Sequence, residues 1–238
     1  MNQVATEHDL WGSSLDKLRD WDPRGADLLF RAGTNPWNSG VLPRKEIQLL
    51  CLALHASCTT LDGVGTRRHV RGALDAGATR EEVLLLLKCA AVPALHSFSL
   101  GAPILLEEMA AAGVKAAGGP KPETPSCDAL RAMGMWNTAF DPFLELAPSW
   151  TEDYFAFAVG NIYQSGIFTP RFLELISIAV DASVTHMYVP GVRRHIKMAL
   201  KAGATPEEIL AVLQLCVSMG IEACAQGVPI LAEELDGL

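Results

Sequence analysis

The sequence predicts an all-α protein in which two tandem helical repeats pack as one pseudo-symmetric bundle. One stretch occurs twice, 126 residues apart: Arg67-Arg68-His69, Ala73-Leu74, Ala76-Gly77-Ala78-Thr79 and Glu81-Glu82 return as Arg193-Arg194-His195, Ala199-Leu200, Ala202-Gly203-Ala204-Thr205 and Glu207-Glu208. The correspondence holds without a gap from about Asp27/Asp153 to Glu108/Glu234, with roughly a third of the pairs identical, the mark of an internal duplication. Apolar residues recur at helical spacing and strand signals are absent. Helix punctuation also recurs, with Thr at an N-cap and Glu three residues on in Thr79–Glu82 and Thr205–Glu208, and Gly77 and Gly203 where a preceding helix should end.

Residues 1–25 form an arm in which Leu10, Trp11, Leu15, Leu18 and Trp21 make a short amphipathic helix expected to lie across the duplicated body. The first repeat, 26–112, reads as a helix from about Pro43 to Cys58, a helix carrying His69, an apolar helix from Glu81 to Val92 and a last helix ending at Glu107-Glu108. Residues 113–128, rich in Gly, Pro, Lys and Ala, read as an exposed linker. The second repeat, 129–238, is expected to follow the plan of the first. Val83, Leu84, Leu86, Leu87 and their partners Ile209, Leu210, Val212 and Leu213 give helices apolar almost all round, which need cover from the other half or from another subunit.

Half of the 238 residues are apolar, enough for a large core, and the net charge of −8 argues against nucleic acid and anionic membranes as partners. The N-terminus, with Glu7 and Asp9 near Leu10-Trp11, lacks the basic-then-apolar order of a secretory signal, and Lys88, Pro93, His96, Gln214 and Glu222 interrupt the apolar stretches. A soluble cytoplasmic protein is expected. The six cysteines include no CxxC pair and no zinc-ligand spacing, so buried reduced thiols are expected, with Cys58 at a helix end the one thiol worth testing. His55, His96, Asp181 and His186 include no pair at i, i+3 or i, i+4, so no metal is expected, and without a phosphate-binding glycine loop no cofactor is implied.

The Arg-x-His, Ala-Leu, Gly-Ala-Thr-x-Glu-Glu and following apolar helix resemble, in both copies, the all-helical carboxymuconolactone decarboxylase and alkylhydroperoxidase D family. For the fold, the resemblance implies alkylhydroperoxidase D-like helical repeats; for assembly it implies a homo-oligomer, a trimer or, failing that, a dimer. The peroxidase branch needs a Cys-x-x-Cys, and here those positions hold Asp62 and Gly65, or Tyr188 and Gly191, which removes the thiol mechanism. Members of the decarboxylase branch place a glutamate four residues before the histidine; Gly65 and Gly191 stand there instead. Another group must then orient the histidine, the candidates being Asp62, Tyr188, His55/Asp181 and His96/Glu222.

What the resemblance implies is cofactor-independent acid–base chemistry on a small carboxylate-bearing molecule, such as a lactone met in aromatic catabolism. His69 or His195 would move the proton and Asp62 and Tyr188 would assist, Tyr188 tilting the choice slightly toward the second copy. Arg67 and Arg193, which match the family position beside Arg68 and Arg194, would grip the carboxylate. Each has a plainer role: the histidines as core residues, the arginines as surface ion pairs, Asp62 before Gly63 as an N-cap, and Tyr188 before Pro190 as a helix start. The alternative for the whole chain is a non-catalytic ligand binder or assembly subunit, with peroxide reduction at Cys58 last.

Overall fold

The computed structural model describes residues 5–6, 10–115 and 122–237. The Gly118-Gly119-Pro120-Lys121 part of the expected linker, and Glu7 and Asp9 of the arm, lie outside the described residues. The helices run α1 Asp16–Trp21, α2 Pro23–Asn38, α3 Arg44–Ala56, α4 Gly63–Asp75, α5 Arg80–Ala91, α6 Leu95–Ala111, α7 Pro125–Ala132, α8 Asp141–Leu146, α9 Pro148–Phe155, α10 Pro170–Ala182, α11 Val189–Lys201, α12 Pro206–Ser218 and α13 Ile221–Asp236. There is no strand among the described residues.

The chain forms two compact units, residues 1–90 with 169–238, and residues 91–168. In the first unit α3 and its counterpart α10 lie side by side at the centre, buried on nearly every face by Ile47, Leu49, Leu50, Leu52 and Leu54 on one and Leu175, Ile176 and Ile178 on the other. Around them α4 packs on α3, α11 on α10, and α12 on α10, α3 and α2. Helices of both copies thus share one core, which explains why the repeat is not itself a compact unit. The symmetry is visible in pairs: Lys45 binds Glu82 at 2.8 Å, and its counterpart Arg171 binds Glu208 and also reaches Glu46 of the other copy at 3.2 Å. Thr59 and Thr185, 126 residues apart, touch at 3.1 Å between their hydroxyls, which places the pseudo-two-fold axis between them.

Local signals act as expected. Thr79 and Thr205 exchange hydrogen bonds with Glu82 and Glu208 in two capping boxes, and Gly77 and Gly203 end α4 and α11 at φ +86° and +90°, a region where other residues are strained. The arm enters through Leu10 and Trp11 and a 3₁₀ turn, Gly12–Leu15, and packs with α1 against α13, burying Leu10, Trp11 and Leu15. Ala5 is clamped by the side-chain amide of Asn38, which receives its N–H at 2.8 Å and donates to its carbonyl at 2.9 Å.

The second unit has its own aromatic core. Phe140, Phe143 and Phe155 pack with Leu95, Ala102, Cys127 and Leu130, and Tyr154 donates to the Val92 carbonyl at 2.9 Å.

Two expectations need correction. The exposed linker stops short of Pro125, because Glu152 accepts the amides of Ser126 and Cys127 at 2.7 and 3.2 Å and fixes the start of α7, with Cys127 fully buried. The second copy departs from the plan of the first: α2 is one α-helix, whereas its counterpart passes from α9 into a π-helical stretch, Ala156–Tyr163. The apolar helices are covered on one face, with Leu85 and Leu86 on α5 and Ile209 and Val212 on α12 buried, while Leu84 and Leu87 on α5 and Leu210 and Val217 on α12 are exposed. Residues 80–111 and 206–236 are long and apolar enough to cross a membrane by length and composition, with only about a third of each most apolar window (33% and 39%) buried.

Because α10 to α13 complete the core around α3, residues 1–115 expressed alone should not give a soluble monomer with a cooperative thermal transition. Calorimetry and light scattering of that fragment check this, and a sharp, reversible melt from a monodisperse monomer would contradict it.

Candidate functional site

Polar residues on the two central helices make the sites. Gln48 and His55 project from α3 and their counterparts Glu174 and Asp181 from α10, all buried. A buried polar group needs a partner, and in both copies the partner comes from the histidine-bearing helix alongside. His69 Nδ1 donates to Gln48 Oε1 at 2.8 Å, and His195 Nδ1 pairs with Glu174 Oε2 at 2.6 Å. Neither Gln48 nor Glu174 was singled out from the sequence. Their signal was a polar residue at the same register of two otherwise apolar helices.

In the first copy His55 Nδ1 donates to Asp62 Oδ2 at 2.7 Å, while its Nε2 lies 3.9 Å from Glu222 Oε1. The same Glu222 oxygen accepts from Arg68 at 2.6 Å and from the Trp11 indole at 3.0 Å. The His55 and His69 rings are 4.9 Å apart, Trp37 stacks on His69 at 6.0 Å, and the Arg44 guanidinium lies 4.7 Å from the Trp37 ring centroid. Leu10, Trp11, Trp37, Cys51, His55, Arg68, His69 and Glu222 are among the residues that line a cavity of about 20 Å³, room for a water-sized guest. Burial, reinforced by His55 and the Arg68 charge, holds His69 well below the usual imidazole range. A neutral His69 that donates from Nδ1 keeps a lone pair on Nε2. Burial alone would raise the Asp62 carboxyl, but its bonds from His55 and from the Gly65 and Val64 amides prevail and hold it below the usual range.

In the second copy His195 Nε2 lies 3.8 Å from Asp181 Oδ2, and His186 Nε2 lies 3.9 Å from Asp181 Oδ1. Burial lifts Asp181 to about 6 against the pull of His195 and Arg194, and burial lowers His186.

Gly65 and Gly191 explain how these groups approach. A Cβ on Gly65 would stand 1.9 Å from His55 Nδ1, and one on Gly191 would stand 1.8 Å from Asp181 Oδ2. The space that a side chain would take four residues before each histidine is therefore filled by His55 or Asp181 from the neighbouring helix.

The expected site residues fall as follows. His69, His195 and Asp62 lie in the two clusters. Asp62 is both the N-cap of α4 and the partner of His55, so its plain and its functional readings coincide. Tyr188 is the N-cap residue of α11, its carbonyl accepting the Val192 amide at 3.1 Å without a side-chain capping bond, and its ring lies 5.7 Å from that of His186. Arg67 and Arg193 require correction: both are exposed, and the arginine turned into the first cluster is Arg68. Gly65, His69 and Ala73 define the buried stripe of α4, and Arg68 falls three residues after Gly65, on that stripe's edge, whereas Arg67 is rotated a further 100° away. Of the cysteines, Cys51, Cys89, Cys127 and Cys216 are buried, burial raising the thiols of the last three to about 12, while Cys58 is exposed.

Asp181 carries a pH prediction. Its folded-state value lies above its unfolded one, so the folded state takes up more protons between about pH 4 and pH 6, and stability falls as pH rises through that window. Asp181→Asn should gain on the order of 1–3 kcal/mol over the parent at pH 8 and lose that advantage at pH 4. Urea midpoints at the two pH values measure it, and an equal difference at both would refute the assignment.

A search of curated proteins finds no match. The chain is similar to a Burkholderia xenovorans LB400 protein whose crystal structure is described as that of a candidate gamma-carboxymuconolactone decarboxylase subunit, with a TM-score of 0.86 and 32% sequence identity over 96% of this chain and 94% of that one. The sequence model of the carboxymuconolactone decarboxylase family matches residues 23–97 and 148–233, one match in each repeat, and the chain belongs to that family.

Proposed function

We propose that the protein is a cofactor-independent acid–base enzyme acting on a small carboxylated metabolite of the lactone or cyclic type, and that the first-copy cluster does the chemistry. The observation that carries this reading is the neutral His69, tied through Nδ1 to Gln48, lining the same cavity as the Arg68 guanidinium and His55. A decarboxylation needs a cation at the leaving carboxylate, an adjacent unsaturation to take the electron pair, and a proton for the carbanion. Arg68 supplies the cation, with Glu222 now holding the place that a substrate carboxylate would take. His69 Nε2 supplies the base, or the proton once it has been charged, and a well-placed group of this kind contributes about 10²–10⁴-fold. An isomerase or hydratase would use the same parts.

A cavity of about 20 Å³ admits no lactone. Leu10 and Trp11 are the part of its wall that lies outside the duplicated body, so the arm is the segment to move when substrate enters. The same closure favours a second reading, a non-catalytic member that keeps the fold and binds a ligand or a partner subunit.

Assembly belongs to this proposal too. Exposed apolar side chains recur at the 126-residue offset on the apolar helices of the first unit, Leu84 on α5 with Leu210 on α12, so each repeat offers a second chain an apolar helix. A homotrimer with a pseudo-sixfold arrangement satisfies both copies at once. Light scattering at micromolar concentration should report it, and a monomer would count against it.

Turnover of carboxylated lactones by single variants tests the chemistry. His69→Ala should lose at least tenfold, about 1.4 kcal/mol of transition-state stabilisation, and more than His195→Ala loses. If both variants fold and turn over normally, the histidines leave the mechanism; if the parent chain itself turns over no carboxylated lactone, the non-catalytic reading takes its place. Gln48→Glu should give the first copy the carboxylate–imidazole pair of the second. A negative charge at Nδ1 favours imidazolium, so the acidic limb of the pH–rate profile should move to higher pH; an unmoved limb would remove His69 as the titrating base.

A further inference from the structure

Away from the first-copy cluster, Ala182, Met187, Val189, Val192, Arg193 and Ile196 line an open groove of about 490 Å³, within the range of small-molecule sites. Val189, Val192, Arg193 and Ile196 follow one another at i, i+3, i+4 and i+7 along α11, a single helical face. His195 lies about 110° round α11 from the middle of this face and about 60° from Val192, so the His195–Glu174 pair flanks the groove without lining it. The walls are apolar apart from Arg193, which makes no hydrogen bond or ion pair among the described residues. Met187 holds its side chain at the groove from a left-handed backbone at φ +53°, a conformation unfavourable for a residue other than glycine.

The two copies differ here in charge and shape. In the first, the positions of Val189, Val192 and Ile196 are Gly63, Thr66 and Val70, and Asp62 sets a carboxylate where the second copy has the neutral Tyr188. Only the second copy therefore combines a continuous apolar wall with an arginine that has no carboxylate nearby on the same loop.

We propose that this groove is a binding site for an amphipathic monoanion, an apolar chain or ring with a carboxylate or sulfonate head, the body lying along Val189, Val192 and Ile196 and the head on Arg193. A guanidinium favours a carboxylate or sulfonate over a cationic or neutral head. The site is independent of the chemistry proposed for His69, and its failure would leave that proposal standing.

Calorimetric titration of the full chain with decanoate, below its micellar concentration, tests it against decyltrimethylammonium of equal chain length. Decanoate should bind once per chain and the cation should not. Arg193→Gln should weaken decanoate at least tenfold, Val189→Asp should abolish it by placing a like charge in the groove, and Arg67→Gln, the equivalent change in the first copy, should leave it unaltered. Circular dichroism checks that each variant is folded. Equal binding of anion and cation, or undiminished affinity in Arg193→Gln, would overturn the proposal. So would a Val189→Asp variant that changes sedimentation, since the groove would then be a contact between copies of the chain.

Discussion

The pairing of α3 with α10 is the constraint on which the rest of the first unit depends. Both helices are enclosed by neighbours, so nearly every side chain on them is committed to packing. Yet each carries two buried polar residues, at the same register in both. In a dry interior such groups are costly unless satisfied: the imidazoles of α4 and α11 satisfy Gln48 and Glu174, and Asp62 at the start of α4 satisfies His55. Positioning of the histidines is thus a by-product of core formation: the helix that buries His69 is held in place by the same contacts that keep α3 in the core. Cavity-forming changes at Leu52 or Leu54, which cost about 2–5 kcal/mol in a core of this kind, would disturb the site without touching it.

The two clusters show how a duplicated scaffold diverges in electrostatics while keeping its geometry. Gln48 against Glu174 and His55 against Asp181 exchange neutral or basic groups for acidic ones at matching positions. The first cluster borrows its carboxylates from outside the central helices, Asp62 from the turn before α4 and Glu222 from α13, and so acquires an arginine and an indole as well. The second has its carboxylates built into α10 and keeps one of them protonated well above the ordinary carboxylate range. One scaffold holds two proton inventories.

Much of the fold was legible in the sequence because its signals are local or repeated. The capping boxes at Thr79 and Thr205, the glycines after α4 and α11, and the constant offset between copies need no tertiary information. The candidate site was legible only in part. His69 and His195 stood out through their recurrence, and Asp62 through its place before the helix. Gln48 and Glu174 lie 21 residues upstream of the rings they hold, inside apolar runs that read as core. Which of Arg67 and Arg68 faces the cluster turns on helical phase, which Gly65 and Ala73 fix; the family position is the exposed neighbour. Glu222 meets Arg68 across 154 residues of chain, a contact that no spacing rule supplies.

The missing side chains at Gly65 and Gly191 also bear on how such a protein can change. His55 and Asp181 stand where a Cβ would be, so residue 65 cannot acquire a side chain while residue 55 keeps its own, and the same holds for 191 and 181. A carboxylate delivered from the histidine's own helix and a group delivered from the central helix are mutually exclusive occupants of one volume. Passage between the two arrangements therefore runs through paired substitutions, with each single step meeting either a steric clash or an empty polar hole. Any chain of this fold that carries a side chain at the position of 65 or 191 must therefore carry a smaller residue opposite it, at the position of 55 or 181.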